Sequence, residues 1–128
     1  MFLVRTVLAV SQIHGLGVFA ASEIAKGDVV WRFEPAFDKV ISESALSEFP
    51  EHVVEHIKIH AEYFPRDGFY VMSSDNDKFM NHSTSPNLAV VANDAVGYPD
   101  LLAMQDIPAG AELTIDYDDI ILDHETPS

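Results

Sequence analysis

At 128 residues and 48% apolar composition, the chain has the size of one domain, enough to bury about two-thirds of the surface its unfolded form exposes. It has no cysteine, which excludes disulfides and thiolate metal sites, and no run approaching the ~20 apolar residues that span a bilayer. The net charge of −14, with no Lys or Arg after Lys78 and nine acidic residues beyond it, argues against a nucleic-acid partner and suits either a basic partner or simple solubility.

Leu3 to Val10 is rich in β-branched residues and reads as a strand, which Gly15 and Gly17 break at a tight turn. Val29 to Phe33 reads as a second strand, after a Lys26-Gly27-Asp28 turn and before Pro35. The stretch 42–64 is the helical insert. Ser42 is placed to cap a short helix over Glu43 to Phe49. Pro50 suits the first turn of another helix, Glu51 to about Glu62, with Val53, Val54, Ile57 and Ala61 inward. His52, His56 and His60 recur one turn apart on it. With Glu51, Glu55 and Glu62 interleaved they read as a solvated face, and the spacing also suits a metal.

Phe69 to Met72 reads as a strand, followed by a polar turn, Ser73 to Asp77. Leu88 to Ala92 and Leu101 to Met104 are short strands. Leu113 to Tyr117 alternates, which predicts Leu113, Ile115 and Tyr117 on one face. The tail, 118–128, is acidic around Ile120-Ile121-Leu122. One internal echo is visible: Glu23 to Val30 parallels Asp106 to Leu113, each an acidic residue, Ile, a Gly-bearing turn and a strand. Two β-hairpin arms of similar build would give it. Many short strands and one helical insert predict a mainly β domain.

Three segments carry chemistry. Gly15-Leu16-Gly17 lets the backbone turn sharply and lets a ligand approach main-chain atoms, though most Gly-x-Gly pairs are hairpin turns, and a dinucleotide site's third glycine is missing. Asn81-His82, after the apolar lead-in Phe79-Met80, opens a Ser/Thr/Pro/Asn turn. Tyr117 ends Glu112-Leu113-Thr114-Ile115-Asp116-Tyr117; alone it would read as an ordinary strand-end tyrosine.

Together and in this order, the three resemble the SET domain, the lysine methyltransferase module that uses S-adenosyl-methionine. The resemblance runs from about Val7 to Tyr117. It implies a SET-type β-clip of small curved sheets, with the C-terminal segment passing under the Asn81-His82 loop as a pseudoknot. It also implies that Gly15, Leu16, Gly17, Lys78, Asn81 and His82 hold the cofactor, that Tyr117 lies at the point of methyl transfer, and that Tyr70 and Ile115 line the lysine channel. Lys78 stands where the family usually has Arg, and Thr84 where many members have Cys.

The implied reaction moves a methyl group from a sulfonium to a neutral amine. A lysine of pKa ~10.4 must first lose a proton, which burial beside a cation favours. A phenol can then align the amine without adding charge. Ile115, lacking a hydroxyl, favours more than one methylation, although Tyr70 could fill the same space. The expected partner is a basic protein or lysine-rich peptide, with neither nucleic acid nor membrane involved and no metal.

The chain departs from many members in lacking a cysteine-rich segment after the final Tyr. Closure of the channel would then fall to Ile120-Ile121-Leu122 or to a second copy in a homodimer. A catalytically inactive β-clip that binds a basic partner is the alternative reading. A cytoplasmic location is expected, or a nuclear one in a eukaryote.

Overall fold

The computed structural model describes residues 1–65 and 67–119. Among the described residues, ten short strands and the helix α1 follow in chain order: β1 (Thr6–Val10), β2 (Leu16–Ala20), β3 (Val29–Trp31), β4 (Lys39–Ser42), α1 (Glu51–His60), β5 (Glu62–Phe64), β6 (Phe69–Met72), β7 (Asn81–His82), β8 (Leu88–Val91), β9 (Asp100–Ala103) and β10 (Thr114–Ile115). They form small sheets in the orders β1-β2, β3-β9-β8 and β4-β6-β5, all antiparallel, and a parallel pair, β7 with β10. The mainly β expectation holds.

The sequence echo is a structural one. The two arms face each other, with Ile24 and Ile107 exchanging N–H···O bonds of 2.9 and 2.8 Å. Gly27 donates to the Ala103 carbonyl at 2.8 Å, and Gly110, its counterpart, donates to Ala20 at 2.7 Å. Both glycines sit at positive φ, +89° and +88°. Ala103 donates to Asp28 and Ala20 to Ala111, each at 2.9 Å. The arms are thus related by a local two-fold pattern. Ile24, Ile107, Val18, Val30, Leu88 and Leu113 are fully buried around it, each contributing roughly 1.5–3 kcal/mol of apolar burial.

Against this core, residues 112–117 are gripped from both sides. Thr114 and Ile115 pair with Asn81 and His82, and Ser83 donates to the Ile115 carbonyl at 2.9 Å. From the other side Asn87 donates through Nδ2 to the Glu112 carbonyl (2.8 Å) and accepts the Thr114 N–H (2.9 Å). Leu113 donates to Val18 at 2.7 Å. This is the crossing of the C-terminal segment and the Asn81-His82 loop that a SET-type pseudoknot requires.

Several local expectations are corrected. Gly17 does not belong to the turn; it lies inside β2, paired with Ala9. The segment from Glu43 is a 3-10 helix (Glu43–Glu48), and Ser42 makes no capping bond; its hydroxyl meets that of Ser44 at 2.8 Å. Helix α1 ends at His60, because Glu62–Phe64 is drawn into the β6 sheet. The alternation predicted over Leu113 to Tyr117 fails. Leu113, Thr114 and Ile115 are all buried, since the segment is covered on both faces, and the chain is helical over 117–119. The Ile120-Ile121-Leu122 closure lies outside the described residues.

Candidate active site

Between β1 and β2 the chain turns over 11–15, closed by Ser11 donating to the Gly15 carbonyl at 2.8 Å. Gly15 has φ +46°, a left-handed conformation that costs other residues. Gly17 is needed for a different reason. A Cβ there would stand 2.5 Å from the Glu112 Oε2 and 3.0 Å from the Ser11 Cβ. The Glu112 carboxylate occupies that space and accepts hydrogen bonds from Ser11 Oγ (2.7 and 3.0 Å) and Asn81 Nδ2 (2.9 Å).

Asn81 is buried on β7, and its amide nitrogen also reaches the carbonyls of His14 (3.0 Å) and Leu16 (3.1 Å). Its two hydrogens are therefore shared among three acceptors. The side chain pins the Gly15-Leu16-Gly17 backbone to β7 and to Glu112. It positions that backbone, with no donor left to offer a ligand.

His82 follows on β7. Its Nδ1 accepts the backbone N–H of Tyr117 at 3.0 Å, so that nitrogen carries no proton. The Asp116 carboxylate lies 3.7 Å from the same nitrogen, but with Nδ1 already an acceptor this is proximity and not an ion pair. The rings of His82 and Tyr117 stand 5.1 Å apart. The Tyr117 hydroxyl donates to the Met80 carbonyl at 2.5 Å. Burial pushes the Tyr117 phenol upward, and the charges of Glu62 and Asp77 push it further. Near neutrality Tyr117 is a hydrogen-bond donor, never a phenolate base.

Tyr117 also forms part of the wall of a cavity of about 190 Å³. Trp31, Phe64, Val71, Tyr98 and Leu101 give it an aromatic and aliphatic interior, and Met80 and Ile115 lie beside Tyr117. The charged lining is Glu62 and Asp77 against His60 and Lys78. Burial raises the Glu62 carboxyl. The Asp77 carboxyl is pushed up to about 7, first by burial, then by the charges of Asp75 and Glu62. His60 is lowered by burial, then by His56 and Lys78.

These observations sort the predicted residues. Gly15, Leu16, Gly17, Asn81 and His82 assemble as one cluster through hydrogen bonds and strand pairing. Lys78, Ile115 and Tyr117 line the adjoining cavity, and Tyr117 joins the two. Tyr70 is not in the cavity wall. It pairs across the sheet with Tyr63, ring centroids 4.7 Å apart, while its neighbour Val71 faces the cavity. The His56 and His60 rings meet 4.6 Å apart at a tilt of 58°, and among the described residues no three His, Cys, Asp or Glu side chains are grouped to hold a metal.

A sequence model of one family, the SET domain, matches residues 15–118. The chain belongs to the SET domain family. No curated protein sequence matches it. Among solved structures, the chain is similar to a humanized mutant of the Chaetomium thermophilum Polycomb Repressive Complex 2 bound to an inhibitor: 26% identity, TM-score 0.67, 91% of this chain and 15% of that one. It is similar in fold to the same organism's complex in an autoinhibited conformation bound to S-adenosylmethionine (23%, TM-score 0.64, 91% and 15%). It is also similar in fold to a Plasmodium falciparum protein described as a candidate histone methyltransferase (19%, TM-score 0.58, 89% and 93%). This SET domain thus spans about one-seventh of the fungal chains it resembles.

Sequence reasoning missed Glu112 as the anchor of Asn81, although the carboxylate stands inside the motif that ends at Tyr117. It also missed Asn87, Glu62, Asp77 and Tyr98. Of these only Asn87, in the Ser/Thr/Pro/Asn turn, carried a signal.

Proposed function

We propose that this chain is an S-adenosyl-methionine-dependent protein-lysine N-methyltransferase acting on a basic protein or lysine-rich peptide. One observation carries the reading beyond family membership. The Tyr117 hydroxyl rests on the Met80 carbonyl at the edge of an aromatic-lined cavity, directly beside the Asn81-His82 cluster. A site built for proton abstraction would not raise the phenol. A site built for alignment keeps it neutral and orients its oxygen.

The residues present fit the cofactor in kind. Lys78 offers a cation to its carboxylate, and the backbone held by Asn81 offers main-chain atoms to its amino-acid end. The cavity alone, at about 190 Å³, is below the ~300 Å³ at which whole-ligand sites begin, so it suits a ligand's end and not its whole length. When bound, S-adenosyl-methionine supplies a methyl group on a sulfonium whose departure leaves a neutral thioether. Tyr117 orients the acceptor, and Trp31, Phe64 and Tyr98 exclude water from it. The aromatic and aliphatic part of the wall and the nearby sulfonium charge favour the lysine in its neutral form, its proton passing to solvent before transfer. Ile115 adds bulk and no hydroxyl, which leaves more than one methylation open. The net charge of −14 would draw a basic substrate.

Labelled S-adenosyl-methionine, incubated with this protein and a lysine-rich peptide, tests the reading. Transfer of label to lysine is expected. Tyr117→Phe should slow it by at least about tenfold, because alignment by the hydroxyl is lost. Equal rates would remove Tyr117 from its role. A protein that binds the peptide but neither binds the cofactor nor transfers label would be the inactive β-clip module instead.

A further inference from the structure

Asp77 stands out in the cavity wall. Its backbone lies within the short 3-10 turn (Asn76–Phe79), and its carbonyl accepts the Met80 N–H at 3.0 Å, which ties it to the residue carrying the Tyr117 hydroxyl. Its backbone N–H is held by Asp75, which also accepts from Ser73 and from Phe2. The Asp77 carboxylate, by contrast, makes no hydrogen bond or ion pair among the described residues, although the residue is half-buried in the cavity wall and burial is the first cause of its raised carboxyl. Three other carboxylates act on it, those of Asp75, Glu62 and Asp38, against a single opposing charge at the Met1 nitrogen. Lys78 and His60 also line the cavity, and neither acts on Asp77 as a partner.

A fold gains nothing from an unpaired carboxylate in such a place. A ligand bringing positive charge would supply the partner. Aromatic walls at Trp31, Phe64 and Tyr98 suit the same ligand, since their faces attract soft cations. Extending the methyltransferase reading, on which this rests, we propose that the Asp77 carboxylate is the receptor inside the cavity for an organic cation, the sulfonium or ammonium charge of a reactant.

The consequence is a proton count. At pH 7 Asp77 holds its proton part of the time, with a carboxyl pushed up to about 7. A bound cation favours the carboxylate, so binding expels that proton to the buffer. His60, held low by burial, His56 and Lys78, is already uncharged there and adds none. Glu62 is the other wall group that burial raises, and substitution separates the two.

The experiment is calorimetric titration of the intact chain at pH 7 in phosphate and in Tris, whose ionisation heats differ. The ligands are S-adenosyl-methionine, S-adenosyl-homocysteine and a lysine-rich peptide. Release with the first alone assigns the sulfonium; with the first two, the cofactor's amino group; with the peptide, the substrate ammonium. Each of these supports the inference. Asp77→Asn should abolish the release and weaken the same ligand about tenfold or more at pH 8, as expected for a lost charged contact. Binding with equal heats in both buffers for every ligand, or release that persists in Asp77→Asn, overturns it. The release is measured on the unmutated protein, so a variant that fails to fold does not remove the test. Absence of any cofactor binding would sink the methyltransferase reading, and the peptide arm would still decide Asp77.

Discussion

Gly17→Ala is the sharpest perturbation of the site that unfolding alone can read. The new Cβ would lie 2.5 Å from the Glu112 Oε2 and 2.9 Å from its Cδ. Carboxylate ends are flexible, so Glu112 swings away, and the cost is what it gives up. It loses the Ser11 bond at 2.7 Å and the Asn81 bond at 2.9 Å. Charged hydrogen bonds are worth ~1.5–3 kcal/mol each, and the lower value applies because Glu112 is only half-buried and regains water. Replacing glycine returns ~0.4–1 kcal/mol by restricting the unfolded chain. The net is a loss of about 2 kcal/mol, or a fall in Tm of roughly 5–10 °C for a domain of this size. Thermal and urea unfolding of Gly17→Ala, Glu112→Ala and the double variant form the assay. The double variant should be no worse than Glu112→Ala alone, because the clash has nothing left to meet. Gly15→Ala is the control. It meets no atom within 4 Å and should cost about 1 kcal/mol through its φ of +46° alone, with no coupling to Glu112. Additive costs at Gly17 and Glu112 would refute the steric account.

Asn87→Ala removes two bonds that hold residues 112–114, and unfolding should show a loss of about 2 kcal/mol. Asp100 is held below the usual carboxylate range, first by the Arg32 hydrogen bonds at 3.0 and 2.6 Å and then by Asn93, against burial. Its stabilisation is complete above the unfolded pKa of ~3.9 and fades as pH falls through the lower folded value. Asp100→Asn should therefore cost roughly 1–2 kcal/mol at pH 7, a modest figure because Arg32 is partly exposed, and the gap to wild type should close in acid. Asp77 has the opposite sign. Its folded pKa is raised, so the fold loses stability as pH climbs from the unfolded value of ~3.9 to about 7, and Asp77→Asn should melt higher than wild type at pH 8 and equally at pH 4.

What the sequence made legible follows from how each residue is constrained. Phe69–Met72 was read to the residue, because an apolar run between polar turns has few other fates. The echoed arms were visible because both need a glycine at positive φ beside a buried isoleucine. Strands β4, β5 and β7 were not visible, since two to four residues give no period, and their pairing partners lie far along the chain. The place of Tyr70 outside the cavity wall was hidden for a related reason. Alternation says that Tyr70 and Val71 face opposite ways, but only the register with β5 decides which of them meets the cavity. Asp77 was hidden inside a polar run that reads as an exposed turn, and the cavity it lines is completed by Glu62 and Tyr117, which arrive from elsewhere.

The two halves of the site are built on opposite economies of charge. Around Asn81 every polar atom discussed has a partner: Glu112 meets Ser11 and Asn81, and the amide meets His14 and Leu16. That half holds a backbone in place and gains rigidity from being satisfied. The cavity half concentrates carboxylates at Asp77 and Glu62 that burial makes reluctant to ionise. Rigid main chain can be completed within the fold, whereas a charge that must meet a ligand cannot. If Asp77 serves a cation, its destabilisation above pH 7 and its proton release on binding have one origin, and a single substitution removes both. A variant that melts higher at pH 8 yet releases the same proton would separate them, and would leave Asp77 as strain without a function.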